Sequence, residues 1–91
     1  MTNDKKIVVV GAGQMGLGIA HAFITAGCSV TMVDISQTAL DRARASISKI
    51  VADGVRLGKV GQEAADKAER LLSTSDSLVD ASKGAALVVE T

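Results

Sequence analysis

Ile7-Val8-Val9-Val10-Gly11-Ala12-Gly13-Gln14-Met15-Gly16 decides the reading of this chain. Four apolar residues, all β-branched, run directly into glycines spaced G-x-G-x-x-G, and a helical pattern opens at Gln14. A strand that is apolar at every position has both faces covered, the condition found inside a parallel sheet. Each glycine then has its own steric task. Gly11 permits a tight turn out of the strand. Gly13 leaves the backbone bare for the close approach of a ligand, and Gly16 lets the helix pack against the strand.

The next apolar run, Ser29–Val33, ends at Asp34, 23 positions after Gly11. A glycine triplet alone is a weak signal; a strand before it, a helix after it and a carboxylate at this distance make it a dinucleotide-binding βαβ unit. A diphosphate would meet the free amides of the turn and the positive end of the helix dipole, so no lysine or arginine is required. Asp34 is placed to accept hydrogen bonds from the adenosine ribose and to repel a 2′-phosphate. Neither Ile35 nor Ser36 supplies a compensating cation, which predicts NAD(H) over NADP(H).

Outward from this unit, the first strand is expected over Lys5–Val10. The first helix follows over about Gln14–Ala26, with Ile19, Ala20, Phe23 and Ile24 on its apolar face and Gly27 as its stop. Ser36 suits an N-cap for a second helix carrying Leu40, Ala43, Ile47, Ile50 and Val51 at helical spacing. Gly54 and Gly58 are expected to break it. A third helix, about Gln62–Leu72, shows Ala64, Ala65, Ala68, Leu71 and Leu72 on one face. A weak strand over Leu72–Ser75, a short helix over Leu78–Lys83 ended by Gly84, and a strand over Ala86–Glu90 complete the order. The expected fold is α/β: a Rossmann-type doubly wound parallel sheet of about four strands, with a helical hairpin inserted between strands 2 and 3. Residues 1–91 form one domain.

Ten basic and ten acidic residues cancel, which argues against non-specific binding to nucleic acid or to an anionic membrane. Seven of the basic residues fall between Arg42 and Arg70. They read as the solvated face of a helical pair or as a weak contact surface for a phosphorylated substrate. Phe23 is the only aromatic, too few for base stacking. Cys28 stands alone, opening an apolar run, and reads as a small buried hydrophobe in a reduced compartment. No run approaches the ~20 apolar residues of a membrane span, so a cytoplasmic protein is expected. His21 lies away from the apolar helix face, exposed or near an interface, and no catalytic or metal-ligating residue is assigned. Glu90 ends the fourth strand, where a doubly wound fold places ligand contacts; it reads as a cofactor-pocket residue or as plain strand termination.

Val9–Ala20, Ala26–Ser36, the Gly58-Lys59 turn and the closing Leu87-Val88-Val89-Glu90 together resemble the N-terminal domain of the NAD-dependent 3-hydroxyacyl-CoA dehydrogenases. That family includes the bacterial 3-hydroxybutyryl-CoA dehydrogenases. The resemblance implies hydride transfer between NAD and an L-3-hydroxyacyl-CoA, with Gly11, Gly13, Gln14, Met15, Gly16 and Asp34 on the cofactor and Glu90 near its nicotinamide end. Thr91 departs from the alanine usual there. It further implies that the catalytic histidine, its orienting glutamate and an all-helical domain come after the fourth strand, so that 1–91 is only the N-terminal, cofactor-binding part and is inactive alone. Lys59 is then the cation best placed for a CoA moiety. Two other readings stay open: a non-catalytic NAD(H)-binding module that pairs through the open edge beside strand 4, with a partner chain or as a homo-oligomer, and a related hydroxyacid or carnitine dehydrogenase.

Overall fold

The computed structural model describes residues 5–91. Four strands, β1 (Lys6–Val10), β2 (Ser29–Val33), β3 (Leu72–Ser75) and β4 (Leu87–Glu90), pair in parallel in the order β3-β2-β1-β4. Helix α1 (Gln14–Thr25) joins β1 to β2, α2 (Gln37–Arg56) and α3 (Gln62–Leu71) join β2 to β3, and α4 (Leu78–Ser82) joins β3 to β4. Val10 pairs with both Val33 and Glu90, and Val33 pairs with Ser75, so all four strands end flush at one carboxyl edge. The strand order reverses between β1 and β4. That reversal opens the crevice in which doubly wound sheets place their ligands.

Alternation along the strands divides the core in two. Ile7, Val9, Val30, Met32 and Leu72 face α1, α2 and α3 in the larger cluster, while Val8 and Val33 meet Ala81 of α4 in a smaller one. Val8, Val9, Met32, Leu40 and Ile47 are fully buried, each stabilising the fold by about 1.5–3 kcal/mol. Cys28 is buried with a free thiol. On β4, Leu87 and Val88 remain 45% and 41% exposed, because β1 covers that strand from one side only.

Ser36 caps α2 as its sequence predicts, accepting a hydrogen bond from the Ala39 amide at 3.2 Å. Three expectations fail in instructive ways. Gly54 does not break α2: the helix continues to Arg56, and the turn is made at Gly58, whose φ is +74°. The Lys59 and Val60 amides both donate to the Gly54 carbonyl, at 2.8 and 3.1 Å, and Val60 packs where a Gly54 side chain would lie. Ile50 is 43% exposed, because it lies on the flank of the stripe formed by Leu40, Ala43, Ile47 and Val51. On α3, Ala65 is buried and Ala64 exposed, and Leu72 leaves the helix to begin β3 without a loop. The remaining boundaries shift by a residue or so: β1 starts at Lys6, α1 ends at Thr25, α4 at Ser82, and β4 starts at Leu87. Among the described residues, no helix is long and apolar enough to cross a membrane.

Candidate functional site

At the carboxyl edge, the Gly11 amide donates to the Val33 carbonyl at 2.7 Å and the chain then leaves the sheet with φ +102°, a left-handed conformation that favours glycine. A Cβ at Gly11 would collide with the Thr91 hydroxyl, and one at Gly16 with the Gly11 carbonyl oxygen. The start of α1 is thus seated directly on the turn. Gly13 is the N-cap and brings no capping side chain; its carbonyl accepts the Leu17 amide at 2.9 Å. The amides of Gly13, Gln14, Met15 and Gly16 have no acceptor among the described residues. A Cβ at Gly13 would meet nothing within 4 Å. The result is a bare cradle of donors at the positive end of a 12-residue helix, a geometry suited to an anion.

Asp34 closes one side of this cradle. Its Oδ1 accepts the Ser36 amide at 2.9 Å and its Oδ2 the Ala12 amide at 3.0 Å. Its own amide donates to the Ser75 carbonyl at 3.2 Å. The Ser36 amide, followed by those of Ala12 and Ile35, holds the carboxyl below its ordinary value of 3.8 against a small opposing effect of burial. Asp34 is therefore ionised at neutral pH, with lone pairs to spare for hydroxyl donors. Beside it, Ile35 is 96% exposed, and Met15 on the first turn of α1 is 71% exposed.

Glu90 sits opposite Val10 on the other side of the turn, exposed at the end of β4. Thr91 follows, its amide and hydroxyl both donating to the Val10 carbonyl, at 3.0 and 2.8 Å. The structure thus gathers Gly11, Gly13, Gln14, Met15, Gly16, Asp34 and Glu90 along one edge. His21 and Lys59 lie elsewhere, both lining a cleft between the far end of α1 and the α2–α3 hairpin. His21 is half-buried at that interface. No group of three or more His, Cys, Asp or Glu placed to hold a metal occurs among the described residues.

The family described as 3-hydroxyacyl-CoA dehydrogenase, NAD binding domain, matches residues 6–91. The chain belongs to this family. It is 39% identical over 87 residues to 3-hydroxybutyryl-CoA dehydrogenase of Bradyrhizobium diazoefficiens, covering 96% of this chain and 29% of that protein. Among solved structures, 3-hydroxybutyryl-CoA dehydrogenase from Escherichia coli superposes with a TM-score of 0.90 at 33% identity, over 97% of this chain and 18% of that one. The (S)-3-hydroxybutyryl-CoA dehydrogenase of Ralstonia eutropha gives 0.88 at 30% identity, over 98% and 31%. This chain therefore spans less than a third of each of these relatives. It is an NAD-binding domain of the 3-hydroxyacyl-CoA dehydrogenase type.

Two features of the edge escape the sequence reading. The Ala12 amide is held by Asp34, and Thr91 fills the space beneath Gly11. The first has no sequence signal, since any residue but proline offers an amide. The second joins the turn after β1 to the residue after β4, a contact that only the pairing of those two strands creates.

Proposed function

We propose that this domain holds NAD(H) at its carboxyl edge for hydride exchange with an L-3-hydroxyacyl-CoA in a longer enzyme. In this reading the amides of Gly13–Gly16 take the pyrophosphate, and Asp34 takes the adenosine ribose hydroxyls. Glu90 stands toward the nicotinamide end, across the reversal between β1 and β4. The carrying observation is the uncapped α1 N-terminus, four amides without acceptors, beside a carboxylate already fixed by Ala12 and Ser36. When bound, NAD supplies the hydride acceptor. The chain itself binds and orients the cofactor; in this reading the proton-transfer group belongs to segments following the fourth strand.

Calorimetric titration with NADH and with NADPH tests this reading. Binding of NADH in the micromolar to submillimolar range, with NADPH at least about tenfold weaker, supports it. Equal affinity for the two removes Asp34 from its role. The chain alone is expected not to oxidise NADH with acetoacetyl-CoA, and measurable turnover would refute the division of labour. A second reading, a non-catalytic NAD(H) module pairing with another chain, is favoured by the exposed Leu87 and Val88 on the open edge of β4. Sedimentation separates the two: a monomer at every concentration counts against pairing with a second copy.

A further inference from the structure

A cavity also lies away from the nucleotide edge. It is a cleft of about 720 Å³ between the C-terminal half of α1 and the α2–α3 hairpin, within the ~300–1,000 Å³ range of small-molecule sites. Gln14 and Thr25, at the two ends of α1, are about 16 Å apart along the helix axis, so the two regions are separate.

Its walls are aliphatic: Ile24 from α1, Ile50 and Val51 from α2, Leu57 from the turn after α2, and Ala68 and Leu71 from α3. No Phe, Tyr or Trp lines it. The polar groups present are sorted by their existing bonds. Thr25 donates its hydroxyl to the His21 carbonyl at 2.9 Å. Asp53, the only acid in the lining, is paired with Lys49 at 3.2 Å and Arg56 at 3.4 Å. What remains is basic. The Lys59 and Lys67 ammonium groups and the His21 ring have no partner among the described residues. Gly61 opens α3 without a side-chain cap and adds the positive end of that helix to the same wall. An aliphatic trough with unpaired cations along it is complementary to an alkyl chain with one anionic head.

We propose that this cleft binds an unbranched medium-chain alkyl carboxylate, with the chain between α1 and α2 and the carboxylate at Lys59 and Lys67. Ile50 and Leu57, now 43% and 58% exposed, form the lips that the chain covers. The site is independent of the dinucleotide edge.

The test is a titration of this chain with octanoate, decanoate and dodecanoate, each below its micelle concentration, followed by backbone amide NMR. Expected is one-to-one saturation with shifts at Gly54, Gly61 and Ala68 and none at Gly13. Affinity is expected to rise about fourfold per methylene, roughly fifteenfold for each two-carbon step. The doubly substituted Lys59→Gln, Lys67→Gln chain is expected to bind decanoate about tenfold more weakly while its circular dichroism and NADH titration stay unchanged. Decyltrimethylammonium binding as well as decanoate does, chain-length independence, or shifts confined to Gly11–Gly16 would each overturn the proposal. Displacement of decanoate by free CoA would do the same, since the cleft would then be a seat for the carrier and not for the alkyl carboxylate.

Discussion

The two ends of α1 face two differently built surfaces. At its N-terminal end, the surface is made of backbone: three glycines, four amides without acceptors and one carboxylate that accepts the Ala12 and Ser36 amides. At its C-terminal end, the cleft is made of side chains brought together from three helices and a turn. The difference lies in what a substitution can reach. A backbone site is disturbed by adding a single Cβ, whereas a side-chain cleft tolerates most changes of a single wall.

The largest expected effect tests whether the glycines divide their labour. In the Gly16→Ala variant the new methyl lands on the Gly11 carbonyl oxygen, and neither backbone has room to yield. Destabilisation of about 3 kcal/mol in urea unfolding, with NADH binding abolished, is expected. Gly13→Ala meets open space instead. It is expected to alter stability by ~1 kcal/mol or less, the scale of an N-cap change, while still weakening NADH severely. Equal stability losses in the two variants would break the distinction between a folding glycine and a binding glycine.

Next in size is a contrast along α2, the helix shared by core and cleft. Ile47 is fully buried, so Ile47→Ala is expected to lower stability by about 2–5 kcal/mol. Ile50 is 43% exposed on the cleft lip, and Ile50→Ala is expected to lower it by under ~1 kcal/mol. A comparable loss at Ile50 would mean that the lip is part of the core.

Asp34→Asn sharpens the backbone side. One amide group cannot accept from both Ala12 and Ser36 without turning its own donor toward one of them. NADH affinity is expected to fall about ten- to a hundredfold, the scale of a charged hydrogen bond lost. The sign of the pH effect follows from the lowered carboxyl pKa. The stabilisation is present above the unfolded-state value and is lost as pH falls through the lower folded-state value. Urea midpoints measured from pH 6 to pH 2 are therefore expected to converge for wild type and variant at the acid end. A constant gap would show that the charge of Asp34 is not what braces the turn.

Backbone sites are legible in a sequence for the same reason that they are fragile. Gly11, Gly13, Gly16 and Asp34 announce the turn because few other residues satisfy its geometry, and β1, α1 and β2 lie within a residue of their expected bounds. The hairpin was harder to read. Leu72 fits both a helical and an alternating pattern, and only pairing with Val30 makes it strand. The cleft has no motif at all, since His21, Lys59 and Lys67 become neighbours only after α1 and the hairpin pack. The Asp34–Ala12 bond is similarly silent, because its donor is backbone.

Gly54 carries the smallest effect and shows how local propensity misleads. Read alone, a glycine before a second glycine is a breaker, yet here it is helical, and substitution by alanine should gain about 1 kcal/mol of helix propensity. Against that gain, the new Cβ would stand 2.8 Å from Val60 Cγ2 and 3.3 Å from Val60 Cβ. A valine is stiff at χ1, and Val60 is held by its amide to the Gly54 carbonyl at 3.1 Å, so relief requires the turn itself to move. The two contributions are of similar size and opposite sign. Gly54→Ala alone is expected to leave stability unchanged or lower it by up to ~1 kcal/mol. Combined with Val60→Ala, which removes the clashing methyl groups, the same change is expected to stabilise relative to Val60→Ala alone. That sign reversal in a double-mutant cycle is the measurement. Additivity would mean that Val60 does not determine why the helix keeps a glycine there, and that the turn closes for reasons local to Gly58.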